Sequence, residues 1–227
     1  MTLAIAHRGD WRDAPENTVA AFRAAAMAGA DMVELDVRRT ADGGVAVVHD
    51  PPLERVWGSP LAVGDAALAD VRAHGNGRHH VSTLEEALDC VDLALMVDYT
   101  RADVVEPALA VIGDAGALDR VLFSGENVEG HRRIRSLAPD ARIALTWTSR
   151  EPPAASLLAE LAVEYFNPPS ELLDAAVVEA MHDRGYKVST WTVDDPREMQ
   201  RVLECGADAI VTNRIEELVT LLADAPC

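Results

Sequence analysis

The sequence predicts a (β/α)8-type barrel, and three observations lead to it. Short apolar runs alternate with helical patterns from one end of the 227 residues to the other, the rhythm of βα units around a parallel sheet. Glycine follows several helical runs, at Gly29, Gly185 and Gly206, as a left-handed C-terminal cap requires. No GxGxxG follows the first apolar run, which weakens the doubly wound alternative. The length suffices for one well-buried core, and residues 1–227 read as one domain without linker or internal repeat.

Taken in order, the candidate strands are 3–6, 32–37, 45–48, 93–97, 120–123, 142–147, 163–166, 187–191 and 209–211, and helical patterns fall near 17–28, 83–90, 102–112, 127–137, 153–161, 171–184, 196–205 and 214–223. Ser82-Thr83 leads into Leu84-Glu85-Glu86 as a helix start, and Asp195 precedes Pro196 at a first helical position. Nine strands are one more than the barrel needs. The surplus falls at 32–48, because only seven residues separate Val37 from Val45 and a parallel crossover needs about a dozen. Asp42-Gly43 is instead a hairpin turn. A turn centred there places Asp36 opposite His49. The glycine-rich stretch from Pro60 to Arg78 reads as a loop with one short helix over a barrel end.

Half the residues are apolar (49%) and a quarter charged (26%), a globular composition. Lys plus Arg number 20 against 38 Asp plus Glu, a net charge of -18. Such a surface repels nucleic acid and anionic membranes, so any phosphate substrate needs local positive charge from a metal or a few arginines. The three cysteines, Cys90, Cys205 and Cys227, form neither a disulfide framework nor a zinc site. The first two read as core or near-core thiols and Cys227 as a frayed terminus. The N-terminal stretch lacks the pattern of a signal peptide, and no run approaches about 18 apolar residues. A cytoplasmic protein without a membrane span is expected.

Chemistry concentrates at strand ends. Glu34 and Asp36 lie two apart on one strand and share a face. Two carboxylates there repel unless a cation sits between them, and the hard ions Mg²⁺ and Ca²⁺ prefer such oxygens. An isolated ExD is more often a polar strand face, but Asp98 ends another apolar run and points toward the usual active face of a barrel, a candidate third metal ligand. His7-Arg8-Gly9 ends the first strand, and His49-Asp50 supplies a second imidazole. Two histidines flanking a phosphate divide the work, one activating the attacking oxygen and one protonating the departing alkoxide. Arg8 offers a donor fork for phosphate oxygens. Glu16 either belongs to a helix start or reaches the site to orient an imidazole or a substrate hydroxyl. Trp191 either walls the pocket or belongs to the core. Lys187 begins its strand, which puts it at the opposite end of the barrel.

These residues carry a family pattern. His7-Arg8-Gly9, Pro15-Glu16-Asn17-Thr18, Gly29-Ala30-Asp31 with Glu34-Leu35-Asp36-Val37, Thr40-Ala41-Asp42-Gly43, Val47-Val48-His49-Asp50, Trp191-Thr192-Val193-Asp194 and Gly206-Ala207-Asp208 through Asn213 closely resemble the glycerophosphodiester phosphodiesterase family. The resemblance spans nearly the whole chain. It implies a TIM-type barrel of the PLC-like phosphodiesterase architecture that uses one divalent cation, Mg²⁺ or Ca²⁺, and cleaves a small-molecule glycerophosphodiester to glycerol 3-phosphate and an alcohol. By matching position, His7 and His49 look like the acid/base pair, Glu34, Asp36 and Asp98 the metal ligands, and Arg8 the phosphate clamp. The family mechanism implies the glycerol 2-hydroxyl as internal nucleophile and a cyclic phosphate intermediate. Two departures stand out. Asp98-Tyr99-Thr100 replaces the family's glutamate, apolar residue and lysine, so Thr100 lacks a charge. Ser124-Gly125 replaces a serine-phenylalanine pair, which implies a wider pocket. The site also resembles that of sphingomyelinase-type phospholipase D enzymes, and the missing lysine leaves a non-catalytic phosphate-binding barrel as a third alternative.

Overall fold

The computed structural model describes residues 2–224, and Cys227 lies outside them. Ten strands are present in this span: β1 (Leu3–His7), β2 (Met32–Arg39), β3 (Val45–Val47), β4 (Ser82–Thr83), β5 (Ala94–Asp98), β6 (Val121–Gly125), β7 (Arg142–Thr146), β8 (Tyr165–Asn167), β9 (Lys187–Thr190) and β10 (Ala209–Thr212). The helices are α1 (Val19–Met27), α2 (Glu54–Trp57), α3 (Leu68–Arg72), α4 (Leu84–Cys90), α5 (Val105–Asp114), α6 (Val128–Leu137), α7 (Ala155–Leu161), α8 (Ala175–His182), α9 (Pro196–Glu204) and α10 (Ile215–Asp224). Eight strands form a closed parallel barrel in the order β1-β10-β9-β8-β7-β6-β5-β2, shut by the pairing of β1 with β2.

The surplus segment is where the spacing puts it. β3 pairs antiparallel with β2 outside the ring, and β4 pairs with β3. The register differs by one residue from a turn centred on 42–43. Val37 pairs with Val47 and Arg39 with Val45, so Asp36 faces Val48, whose N–H donates to the Asp36 carbonyl at 2.9 Å, and not His49. The loop contains three residues rather than two. Thr40 and Gly44 close it, and Gly43 takes φ +88°, the left-handed residue of a three-residue hairpin loop. The tenth strand was not foreseen, because the two residues of β4 also start α4. Thr83 caps that helix in a reciprocal capping box with Glu86.

Other boundaries move for local reasons. α1 starts at Val19 because Asn17 has φ +58° and the Thr18 side chain caps Ala21 N. The stretch after Pro60 holds a 3-10 turn at Val63–Asp65 as well as α3. Further 3-10 turns at Ala102–Val104 and Ser170–Leu172 precede α5 and α8.

Strand alternation divides the side chains into two populations. Ala4, Val33, Leu35, Val37, Leu95, Val97 and Ile143 face outward and form the main core with Phe22, Leu84, Ile112 and Leu158 of the surrounding helices. Ile5, Met32, Met96, Leu122, Ala144, Tyr165 and Val211 face inward and fill the lower barrel as an apolar plug. Two residues further along the same strands, the inward positions turn polar: His7, Glu34, Asp98, Ser124, Thr146 and Asn167. The C-terminal mouth is therefore polar above a dry floor, the arrangement in which barrel active sites are built. A third cluster, Val48, Leu53, Val63, Val71 and Val81, secures the segment that carries His49.

Candidate active site

A cavity of about 280 Å³ opens at this mouth, lined by His7, Arg8, Glu34, Asp36, His49, Asp98 and Trp191 among others. Seven of the eight residues singled out in the sequence thus share one space. Glu16 does not line it. Its Oε1 accepts from Arg8 Nη1 at 2.9 Å, and both its oxygens accept from Arg55. Glu16 holds the arginine and no imidazole. The single lysine, Lys187, begins β9 at the far end and pairs with Glu164.

His7 ends β1 beside Glu34 of β2. Its Nδ1 lies 2.8 Å from Asn213 Oδ1. Asn213 Nδ2 donates to Asp194 Oδ2 at 2.8 Å, which assigns Oδ1 as the acceptor. His7 therefore carries its proton on Nδ1, and Nε2 is the free ring nitrogen. Burial, and then the charge of Arg8, lower the His7 pKa; the Asn213 bond and the nearby acids oppose them. The neutral ring is favoured.

His49 sits just past β3 on the segment anchored by the third cluster. Its Nδ1 donates to Asp50 Oδ1 at 2.7 Å, and Arg55 Nε donates to Asp50 Oδ2 at 2.5 Å. Again Nε2 is left free. The second imidazole thus rests on a carboxylate where the first rests on an amide.

Asp36 and Asp98 are direct neighbours across β2 and β5. Burial, and then Asp36 and Asp98, hold the Glu34 carboxyl well above the usual carboxylate range. Asp98 is pushed up to about 6, by burial first and then by Asp36. Arg8 is the fixed cation among them, with φ +60°. Its backbone N–H donates to Glu34 Oε2 at 2.9 Å and its Nε lies 3.1 Å from Asp36 Oδ2. That Nε is buried and not aligned with any acceptor among the described residues. Burial works against the charged guanidinium, but Asp36, Glu16 and Glu34 outweigh it and raise its pKa. A left-handed non-glycine residue and an orphaned buried donor at one position are costly features that mark functional sites.

The three carboxylates offer hard oxygen donors, and their mutual repulsion is what a hard dication offsets. The donor chemistry fits. As the side chains stand, however, no group of three acidic, imidazole or thiol residues among those described is gathered closely enough to hold an ion. Glu34 and Asp36 are each turned to a donor of the chain: Glu34 to the Arg8 backbone, Asp36 to Arg8 and to Asn17 Nδ2 at 2.8 Å.

Residues 7–217 match the glycerophosphoryl diester phosphodiesterase family. The chain belongs to that family. Among its relatives is a glycerophosphodiester phosphodiesterase of Caldanaerobacter subterraneus subsp. tengcongensis, 32% identical, the match covering 97% of this chain and 98% of that one. The barrel is similar to that of an Oleispira antarctica phosphodiesterase solved in complex with the product sn-glycerol-3-phosphate. The TM-score is 0.90 at 22% identity, over 97% of this chain and 96% of that one. It is also similar to a glycerophosphodiester phosphodiesterase of Agrobacterium tumefaciens, with a TM-score of 0.81 at 25% identity, over 97% of this chain and all of that one (100%).

Within this family member, several positioning residues escaped the sequence reading. Asn17 holds Asp36 from both sides, donating to its carboxylate and accepting its backbone N–H at 3.2 Å. Asn213 and Asp194 hold His7, and Asp50 holds His49. A polar residue just past the end of a barrel strand was the available signal for Asn213. Asp194 joins only through tertiary contact. Trp191 lines the cavity and donates from Nε1 to Asn167 O at 3.1 Å. Both departures from the family pattern line the cavity too. Gly125 has φ +149°, and a Cβ there would overlap the Tyr99 carbonyl oxygen. This backbone therefore excludes an aromatic at that position.

Proposed function

We propose that the protein hydrolyses glycerophosphodiesters to sn-glycerol 3-phosphate and the free alcohol. The observation that carries this reading is the pair of imidazoles in one cavity, each tied back through Nδ1 with Nε2 left free. His7, neutral and buried, takes the proton of the glycerol 2-hydroxyl as its oxygen attacks phosphorus. The P–O bond to the alcohol breaks, and protonated His49 gives its proton to the departing oxygen. Water then attacks phosphorus of the cyclic phosphate, and the bond from phosphorus to the 2-oxygen breaks. His49 takes a proton from that water, and His7 returns its proton to the 2-oxygen. Both rings end as they began. Holding the hydroxyl beside phosphorus gives the advantage of an intramolecular attack. Arg8, aimed by Glu16, supplies the phosphate with local positive charge inside a protein of net charge -18. Trp191 walls the carbon skeleton.

Glu34, Asp36 and Asp98 would hold one divalent cation, Mg²⁺ or Ca²⁺, and a bound dication supplies charge stabilisation for the phosphate oxygens. No helix among the described residues is long and apolar enough to cross a membrane. A cytoplasmic location, in glycerol and lipid metabolism, belongs to this reading, and the free thiols of Cys90 and Cys205 suit a reducing compartment.

The test is turnover of glycerophosphocholine by purified protein with Mg²⁺ or Ca²⁺, and its loss with chelator. A diester lacking the 2-hydroxyl should not be cleaved. Cleavage of that analogue would favour the phospholipase D-like alternative, and inactivity on all diesters with either metal would favour a binding barrel.

A further inference from the structure

A second cavity, of about 410 Å³, lies beside the first. It is bounded by the end of β2, the turn at Val63–Asp65 and the turn that follows β5. Thr100 lines both cavities. The charged lining is Arg38, Arg39 and Arg101 against Asp65 and Asp103, a positive excess in a protein whose net charge is -18.

Arg38 is the residue of interest. It follows Glu34 and Asp36 on the inward face of β2, two residues further toward the rim. Its Nε donates to the backbone carbonyl of His49 at 2.6 Å, which fixes the direction of the guanidinium. Neither Arg38 nor Arg39 forms an ion pair among the described residues. Arg101 is held in place by Asp103, Nη2 to Oδ2, at 3.1 Å. A guanidinium anchored through Nε keeps its terminal nitrogens for a ligand. That arrangement matches phosphate in a way that a free surface arginine does not.

The location has a chemical meaning that rests on the glycerophosphodiester reading of the first cavity. The imidazole that protonates the leaving oxygen must lie beside it, so the rest of the alcohol extends past His49. Arg38 is bonded to that residue's own carbonyl, and Thr100 belongs to the lining of both cavities. We propose that the arginine-lined annex holds a phosphate group on the leaving alcohol, so that the preferred substrates are glycerophosphodiesters whose alcohol bears a second phosphate. Thr100, where the family has lysine, puts a short uncharged side chain in the lining common to both cavities.

The experiment compares glycerophosphoglycerol with the same diester phosphorylated on its terminal hydroxyl, and with glycerophosphocholine. The readout is the ratio of KM for glycerophosphoglycerol to KM for its phosphorylated form, taken within each protein so that general loss of activity cancels. The wild type should show a ratio of about ten, from charge-assisted bonds at a partly exposed site. Glycerophosphocholine should bind no better than glycerophosphoglycerol. In Arg38→Gln and in Arg101→Gln the ratio should fall toward one. A wild-type ratio of one or below overturns the proposal, as does a ratio that both substitutions leave unchanged. If none of the three diesters is cleaved, the reading of the first cavity falls and the annex proposal with it. If glycerophosphoglycerol and its phosphorylated form are cleaved without preference, only the annex proposal falls.

Discussion

His7 and His49 are held by different partners, and the difference assigns their work. Burial and the charge of Arg8 keep the first ring neutral against the opposing Asn213 bond, while the second rests on the Asp50 carboxylate, which can offset the charge of a protonated ring. Replacing either by alanine should lower kcat by roughly 10²–10⁴-fold with an unchanged far-UV spectrum. A p-nitrophenyl diester, whose leaving group needs no proton, separates the roles. His49→Ala should recover most of its rate on that substrate and His7→Ala should not; equal losses would reverse or dissolve the assignment. Asn213→Leu removes the acceptor that sets the His7 tautomer. We expect kcat to fall about tenfold or more with little change in KM, measured by steady-state kinetics on glycerophosphocholine.

At the scale of elements, the segment between β2 and α4 carries His49 into the site and is tied down at its far end by the Thr83–Glu86 capping box. Thr83→Ala should cost about 1 kcal/mol, read as a shift in the denaturant midpoint. Packing of α6 on β5 is tighter. A Cβ built at Gly130 would overlap the Tyr99 ring, and Tyr99 directly follows Asp98 at the end of β5. Gly130→Ala should destabilise by roughly 1–3 kcal/mol through overpacking. Because the strain falls beside Asp98, activity should decline with it; a variant of normal stability and rate would show that α6 can shift freely.

For the whole molecule, two solution properties follow. His131 is fully buried between β6 and α6, donating from Nε2 to Gly125 O at 2.9 Å while Tyr99 donates to its Nδ1 at 2.8 Å. Both ring nitrogens are engaged in the neutral form, and burial lowers its pKa to about 4. The unfolded chain therefore binds the extra proton between about 4 and 6.5. This contribution is complete above pH 6.5 and is lost as pH falls to about 4, a span on the order of 3 kcal/mol. Asp98, raised to about 6, works in the opposite sense over the same window, so the contribution is read as the difference in pH dependence between wild type and His131→Phe. The second property concerns the three carboxylates. A cation that binds only the folded chain stabilises it, by about 2.7 kcal/mol at a hundred times Kd. Mg²⁺ or Ca²⁺ should raise the Tm of the wild type and leave that of an Asp36→Asn, Asp98→Asn double variant nearly unmoved; equal shifts in both would place the ion elsewhere.

The barrel was legible because its signals are local. Alternation of apolar runs and helices, glycine caps and the short gap between Val37 and Val45 all act within a few residues, and strand periodicity alone puts Glu34 and Asp36 on one face. His7, Arg8 and Asp98 were legible because they end strands whose ends a parallel barrel must gather, and His49 because it ends an apolar run. The hairpin register was not, since a three-residue loop and a two-residue turn differ only in where Gly43 takes its positive φ. Nor were the partners of the site residues. Asn213 and Asp194 stand about 200 residues from His7, and Glu16 turns to Arg8 rather than to an imidazole because Arg8 and Arg55 reach it first. By itself, then, the sequence determined the fold class and which functional groups are present, through periodicity and strand ends. Only the tertiary structure decided which nitrogen of each imidazole is free, which carboxylates face one another and that Arg38 is anchored by a backbone carbonyl and not by a carboxylate. Those properties depend on distances between side chains remote in the chain, and no local pattern encodes them.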